Sequence, residues 1–306
     1  MSIVGTGEPT NRTNIALPNS VASEILQKTQ EASAIMRLAR KIALPGNGVQ
    51  IPVITGDPTA TWVTETGSKP VSNPTLDKKI MQAHKLAVIV PFSNEFRRDI
   101  PALYNALVNR LPNALGKEFD KTVFFGPGST LANFDDFSAV TGHGLDDNGK
   151  TAYDGLVAAD TDIAEEGGIV NGYILSPQGR GLLLGALDTT NRPIFIDSIA
   201  DGGIPRLLGA QTYLATAAYK AGTSGGSSAT PDIVGFAGDW THALWGTVEG
   251  VKIDISTEAT LTYTDQSQQT VTINLFQQNM FAVRAEIEVG FVAETAYFAA
   301  LTRTHV

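Results

Sequence analysis

Residues 49–91 constrain the fold of this chain more than any other segment, because they predict a long two-stranded ribbon that has no core of its own. Apolar runs at residues 49–54 and 86–90 lie at its two ends, and Gly, Pro, Thr, Ser and Lys dominate its middle. With arms of about 18 residues at roughly 3.3 Å per residue, the ribbon would reach on the order of 60 Å. Because an isolated two-stranded ribbon is marginally stable in water, we expect it to lie across another subunit. The first prediction is therefore assembly.

Short blocks of sequence follow one another in a distinctive order around this ribbon. Residues 62–65 read Trp-Val-Thr-Glu, residues 91–93 read Pro-Phe-Ser, and residues 120–126 run from an Asp to Phe-Phe-Gly. Two more blocks begin at Gly238 and Asn274. In this order the blocks resemble the Hong-Kong-97-like (HK97-like) major capsid proteins of tailed bacteriophages over nearly the whole chain. The resemblance implies an α+β HK97-like capsid fold and a structural role.

The resemblance also implies a division of the chain into parts. They are an N-terminal arm (residues 1–19), an N-terminal helix (20–45), an extended β-hairpin loop or E-loop (46–91), a peripheral domain with a long spine helix and a sheet (92–128 and 248–306), and an axial α+β domain (129–247). The arm is rich in Gly, Pro, Thr and Asn and lacks periodicity, as expected of a segment that contacts neighbouring subunits.

Hydrophobic periodicity predicts two helices in the first half of the chain. Residues 20–43 have a helical pattern with Ser20 as a candidate N-cap, and the helix is expected to stop before Pro45. The predicted spine helix has one apolar stripe with a four-residue spacing, formed by Leu103, Leu107, Leu111, Leu115, Phe119 and Val123. Because Pro112 lies inside this stripe, we expect a kink near Asn109.

The second half of the chain predicts an α+β domain followed by strands. A helix is expected over residues 152–163, with short strands at 173–175 and 211–214, and the Gly/Ser-rich tract 221–231 is expected to be a flexible surface loop. Apolar residues alternate with polar ones over 251–256 and 281–291, which predicts two half-buried strands. We expect these strands to pair and to pack under the spine helix.

Charge and composition exclude several classes of protein. The 306 residues include 22 basic and 31 acidic residues, and the net charge of −9 argues against a protein that binds nucleic acid by neutralising phosphates. Packaged DNA would therefore be enclosed without sequence-specific binding. The chain has no cysteine and no apolar run near the ~18 residues of a membrane span. We expect it in the host cytoplasm during assembly and then in the virion.

Catalytic motifs are weak, so the sequence predicts no enzyme, no cofactor and no metal site. Residues 222–226 match Gly-x-Ser-x-Gly, but they lie in a Gly/Ser tract without the strand and helix that a nucleophile elbow needs. The four histidines, at 84, 143, 242 and 305, are too scattered to suggest a ligand set. Acidic clusters at 135–136, 146–147 and 160–166 are interpreted as turns and solvated faces.

Three ribbon residues, Trp62, Glu65 and Lys69, are the candidates for contacts between subunits, whereas Trp240 and Trp245 are expected in the core. Some family members cross-link neighbouring subunits through a lysine of the extended loop, an asparagine of the peripheral domain and a glutamate base. By region, the counterparts here would be Lys69, Asn279 and Glu286 or Glu288. A solvated lysine at the ribbon tip is the alternative interpretation.

The sequence thus predicts a major capsid protein that self-assembles into hexamers and pentamers of an icosahedral shell around the double-stranded DNA of a tailed phage. Its other partners would be portal and scaffolding or decoration proteins. Two alternatives stay open: the shell protein of an encapsulin-type compartment, and a soluble hydrolase or carbohydrate-binding protein.

Overall fold

A computed structural model of the chain describes residues 29, 32–56, 58–65, 67–69, 71–73, 75–95, 109–128, 131–146, 151–187, 190, 192–195, 206–224, 229–264 and 267–305. Its helices are α1 (Ala34–Leu38), α2 (Leu111–Phe125), α3 (Ala152–Glu165) and α4 (Pro177–Leu184). The strands are β1 (Arg40–Ala43), β2 (Val49–Gly56), β3 (Thr75–Met81), β4 (His84–Ser93), β5 (Gly142–Gly144), β6 (Gly172–Leu175), β7 (Arg206–Leu207), β8 (Ala210–Leu214), β9 (Asp232–Gly238), β10 (Ala243–Thr247), β11 (Lys252–Ser256), β12 (Thr260–Thr264), β13 (Thr270–Asn274), β14 (Met280–Ala293) and β15 (Phe298–Arg303). None of the helices in these ranges is long and apolar enough to span a membrane.

A five-stranded sheet is built around β14. Strand β4 pairs along one edge of β14, while β10 and β11 pair with successive parts of the other edge, all antiparallel, and β1 adds to β10 in parallel. The buried face of the sheet packs under α2, where Leu111 and Leu115 share a core with Phe281. Both alternating strands are thus confirmed, as is their pairing and their packing under the helix.

A second, six-stranded sheet has the order β5-β15-β9-β6-β8-β7. Helix α3 covers it, and Leu156 and Ile163 pack against Tyr173 and Leu301 in a separate core. The predicted helix over 152–163 and the predicted strands 173–175 and 211–214 are confirmed by α3, β6 and β8.

One aromatic cluster joins the two sheets into a single body. Phe137 stands at its centre, with its ring centroid 4.5 Å from that of Phe298 and 5.7 Å from that of Phe291. Trp240 and Trp245 are buried in the same cluster, as predicted. We call the two sheets with α1–α4 the body of the subunit.

The chain passes from the five-stranded to the six-stranded sheet after α2, and it then crosses between the two sheets twice more, which differs from the predicted division at residue 247. Strand β10 pairs into the five-stranded sheet, although residues 129–247 were expected to form the axial domain. Strand β15 pairs into the six-stranded sheet, although residues 248–306 were expected to be peripheral. Short 3-10 turns at Trp240–His242 and Thr295–Tyr297 make both crossings, so sequence order does not follow sheet membership.

The predicted helix over residues 20–43 is wrong at its C-terminal end. Helix α1 ends at Leu38, and Arg40–Ala43 form β1, which is held by parallel pairing with β10. Ser33 caps α1 by accepting a hydrogen bond from the Met36 N–H. The candidate cap Ser20 and the arm at residues 1–19 lie outside the described residues.

Pro112 does not interrupt α2, and the kink expected near Asn109 stays a prediction, because residues 96–108 lie outside the described residues. Helix α2 begins at Leu111, so Pro112 lies in its first turn, where a missing N–H leaves no intrahelical bond unmade. Leu115, Phe119 and Val123 are buried as the stripe predicts, while Leu103 and Leu107 lie outside the described residues.

The Gly/Ser-rich tract 221–231 is held at both of its ends, and its expected flexibility stays a prediction. Bridges join Lys220 to Ile233 and Thr223 to Thr230, so the flanks of the tract pair with each other. Among the described residues, the next named element after the nearby Ser224 is strand β9, not the α-helix that a nucleophile elbow needs.

Candidate assembly surface

The paired ladder covers only part of the predicted ribbon, and its strands pair differently. Strand β2 pairs antiparallel with β3, from Val49 opposite Met81 to Gly56 opposite Thr75, which corresponds to about 25 Å of ladder. The apolar run 86–90 belongs instead to β4 and pairs with β14, because Leu86, Val88 and Val90 pack into the core under α2. We keep the name ribbon for residues 49–81.

The outer part of the ribbon, residues 58–73, extends beyond this ladder. The Thr59 N–H donates to Ser72 Oγ at 2.8 Å, and the Gly67 N–H donates to Thr64 O at 2.9 Å. Trp62 is fully exposed and Val71 is 87% exposed. Glu65 and Lys69 are exposed as well. The three predicted contact residues therefore share the outer part of the ribbon, where no described part of the same chain covers them.

Residues 79–84, at the end of the ribbon and just after it, form what we call its root. The side chain of Met81 anchors this root by filling an apolar pocket of the body. Met81 is fully buried against Leu44 and Val292. Gly246 and Gly290 form the floor of this pocket, because a Cβ at Gly290 would lie 2.8 Å from Met81 Cγ and one at Gly246 would lie 3.3 Å from Met81 Sδ. The pocket depends on both positions lacking a side chain.

A polar contact lies beside this apolar pocket. Lys79 Nζ donates to Asp135 Oδ2 at 3.0 Å and to Ala293 O at 2.6 Å, and the Ala293 N–H donates to the same carboxylate oxygen at 3.0 Å. On the return limb, His84 Nε2 lies 2.8 Å from Ala132 O. Sequence reasoning missed Lys79 and treated Asp135 as a turn residue, because the two are 56 positions apart and only the tertiary fold joins them.

The residues considered for cross-linking are not brought together within one subunit. Asn279 precedes β14 with a positive φ of 55°, and Asn94 donates to its side chain at 2.5 Å. Glu286 lies in the middle of β14 beside Arg284, at 3.5 Å. Asn279 and Glu286 are seven residues apart, which corresponds to about 20 Å along an extended strand and is far beyond the reach of a general base. Lys69 lies on the exposed outer ribbon.

A buried carboxylate that sequence reasoning did not single out joins α1 to α2. Asp120 accepts hydrogen bonds from Ser33 Oγ at 2.5 Å, from the Ala34 N–H at 2.9 Å and from the Ile35 N–H at 3.4 Å. Gly116, one turn earlier, lets this segment approach, because a Cβ there would lie 3.0 Å from Thr29 O. Burial raises the pKa of Asp120 to about 7, and the three hydrogen bonds offset this effect only in part.

A second buried carboxylate fastens the end of β15. Asp232 accepts from the Gly222 N–H at 2.7 Å, from Tyr219 Oη at 3.1 Å and from Arg303 Nε at 2.8 Å, and His305 Nδ1 lies 2.6 Å from it. Burial alone would raise the pKa of Asp232, but these hydrogen bonds outweigh it and hold the pKa well below its usual range. The site is a structural anchor.

The histidines pack against protein partners. His143 Nε2 lies 2.7 Å from Asp162 Oδ2, and His242 stacks on Tyr297 with 3.8 Å between ring centroids. Across the described ranges, no group of three or more His, Asp and Glu side chains is arranged to hold a metal ion.

Comparison with known proteins identifies the class to which this ribbon and two-sheet body belong. The sequence profile of the phage capsid family matches residues 13–302, so the chain belongs to the phage capsid family. Together with the solved structures described next, the mixed α/β architecture identifies the fold as HK97-like.

Individual relatives agree in length and fold. The chain is 29% identical over 280 residues to the probable major capsid protein gp17 of Mycobacterium phage L5, which covers 88% of this chain and 83% of that protein. It is 24% identical to the major capsid protein of Staphylococcus phage 80alpha, over 93% of this chain and 84% of that protein. A solved structure from Microbacterium phage Oxtober96 superposes with a TM-score of 0.68 at 25% identity, covering 89% of this chain and 91% of that one. The capsid of a native GTA particle shares the fold, with a TM-score of 0.64 at 15% identity over 96% and 93% of the two chains.

Proposed function

We propose that this chain is the major capsid protein of a tailed phage, and that it self-assembles into the hexamers and pentamers of an icosahedral shell around double-stranded DNA. The family match covers nearly the whole chain, and the first relatives are themselves capsid proteins. The role is structural. The same relatives favour a phage shell over an encapsulin-type compartment and over a hydrolase.

The outer part of the ribbon is the observation that carries the proposal. A fully exposed tryptophan and a nearly fully exposed valine, Trp62 and Val71, project from a segment that is anchored at one end only. Large apolar side chains held away from their own core are typical of an interface with another chain. With Glu65 and Lys69 beside it, Trp62 would contact the body of a neighbouring subunit.

The proposal assigns a role in the shell to each part of the subunit. The ribbon serves as the extended loop, α2 serves as the spine helix over the five-stranded peripheral sheet, and the six-stranded sheet with α3 serves as the axial domain near the symmetry axes. The N-terminal arm would add further contacts between subunits. Portal, scaffolding or decoration proteins would bind the shell, which forms in the host cytoplasm and remains in the virion.

Electron microscopy of the protein expressed alone, or together with a scaffolding protein, tests the proposal. We expect closed shells or capsomer rings. Trp62→Ala should abolish or greatly reduce them while leaving the free energy of unfolding of the unassembled subunit unchanged, because the side chain is fully exposed. The neighbouring Thr61→Ala is the matched control and should assemble normally. A protein that stays monomeric under both expression conditions would refute the proposal.

Two further measurements separate finer alternatives. Shells isolated from infected cells should contain double-stranded DNA, whereas an encapsulin-type compartment would contain protein cargo. On a denaturing gel, mature shells should dissolve into single-chain bands, because Asn279 and Glu286 are about 20 Å apart along β14. Ladders of linked chains would instead point to a cross-linking site that residues of several subunits complete.

A further inference from the structure

Two neighbouring side chains on one face of β3 contact the body, beside Val49 and Ile51 of β2, which pack against the same apolar pocket. Met81 and Lys79 are two residues apart in this strand, so their side chains leave the same face about 7 Å from each other. Met81 fills the apolar pocket between Leu44 and Val292. Lys79 reaches the carboxylate of Asp135 and the carbonyl of Ala293.

The apolar contacts of Met81, Val49 and Ile51 are non-directional, so they fix where the ribbon leaves the body more firmly than they fix its freedom to tilt about that point. A second contact on the same face removes this freedom. Lys79 is suited to it, because two of its three N–H donors are used by the protein and its side chain is only 36% exposed. The bond to Asp135 is charge-assisted and partly shielded from water.

The far side of this contact is rigid. The Asp135 N–H donates to Phe291 O at 3.2 Å, and its carboxylate receives the Ala293 N–H, so the residue is bound to the end of β14 at two points. The adjacent residues Phe134 and Phe137 pack in the aromatic cluster. Lys79 is therefore linked through Asp135 to the end of β14 and to the aromatic cluster.

We propose that the Lys79–Asp135 pair is a buttress that sets the angle between the ribbon and the body, and through it the curvature of the assembled shell. Ile51 lies opposite Lys79 in the ribbon, and Thr61 is ten residues further out. A point about 33 Å from the root moves about 6 Å when the ribbon tilts by about 10°. A small change at the root thus becomes a large displacement of Trp62. The effect on curvature rests on the proposed shell function, whereas the effect on the angle does not.

Spin-label distances on the unassembled subunit test the angle. The chain has no cysteine, so cysteines introduced at exposed positions Thr61 and Lys117 can be labelled cleanly. Lys79→Met should shift the mean distance by about 6 Å or broaden its distribution comparably. Lys78→Met is the matched control, because Lys78 is exposed on the opposite face of the same strand. If Lys79→Met does not fold, Lys79→Gln replaces it. A distribution that superposes on that of the wild type overturns the buttress.

Electron microscopy of shells from the same variants tests the consequence. Lys79→Met and Asp135→Asn should give shells of altered or mixed diameter, while Lys78→Met should give the wild-type diameter. Wild-type diameters for all three variants would overturn the link between angle and curvature. If the unaltered chain forms no shells at all, the proposed function fails, and the spin-label result still decides whether the buttress holds the ribbon.

Discussion

Asp120 makes the stability of the subunit depend on pH in a direction opposite to that of most carboxylates. Its pKa rises from the ordinary 3.8 to about 7 in the folded chain, where burial disfavours the charge. Between these values the folded state binds a proton that the unfolded state has released. This contribution to stability is therefore complete below about pH 4 and is lost as the pH rises through 7.

The magnitude follows from the two pKa values. The difference between 3.8 and about 7 corresponds to about 4 kcal/mol in total. Of this, about 2.5 kcal/mol falls between pH 5 and pH 8. The Asp120→Asn variant has no ionisable group there, so the difference in free energy of unfolding between wild type and variant should change by about 2.5 kcal/mol over this range.

Urea unfolding of the unassembled subunit measures this difference, with the fluorescence of the buried Trp240 and Trp245 as the probe. The protein is kept below the concentration at which it assembles. Glu118→Gln is the control, since Glu118 is an exposed carboxylate on the same helix, and its stability curve should run parallel to that of the wild type. If Asp120→Asn also runs parallel to the wild type from pH 5 to pH 8, the reasoning is refuted.

Two further substitutions test the packing of the body. Gly290→Ala should lower the free energy of unfolding by 2 kcal/mol or more, about the cost of overpacking, because the new Cβ would lie 2.6 Å from Gln82 O and 2.8 Å from Met81 Cγ; Gly46→Ala, with open space around it, should have little effect in the same urea titration. Equal midpoints would contradict the tight pocket. Asp232→Asn should raise the pH at which the subunit unfolds in acid, because the low pKa of Asp232 contributes stability above about pH 4 that is lost as the pH falls. If circular dichroism shows the same acid unfolding transition for the variant and the wild type, the Asp232 carboxylate does not contribute to the stability of the subunit in acid.

Periodicity within one element was enough to predict the elements that pack against their own neighbours. The stripe Leu115, Phe119 and Val123 is buried in α2, and the alternation over 281–291 is a strand. In both, the pattern of apolar residues matches the face that the core requires. The exposed Trp62 was also predictable, because polar and turn-forming residues dominate the middle of the ribbon around it.

Long-range pairing decided what the sequence could not predict. Residues 40–43 fit a helical pattern, but hydrogen bonds to β10 outweigh that local preference. The run 86–90 suits either a ribbon arm or a core strand, and only the presence of β14 distinguishes them. Lys79 and Asp135 are unremarkable in sequence, because their contact depends on how the ribbon meets the body.

The position of β14 and β15 in the sheets has a consequence for biosynthesis. A ribosome delivers residues 280–303 after all the other strands, yet β14 is the centre of one sheet and β15 lies between β5 and β9 in the other. Until those residues emerge, β4, β9, β10 and β11 have open edges and the aromatic cluster lacks Phe291 and Phe298. Neither sheet can therefore be completed until residues 280–303 have left the ribosome. A chain truncated before Met280 would lack the central strand of one sheet and an inner strand of the other, so the two halves of the body could not form independently of its last strands.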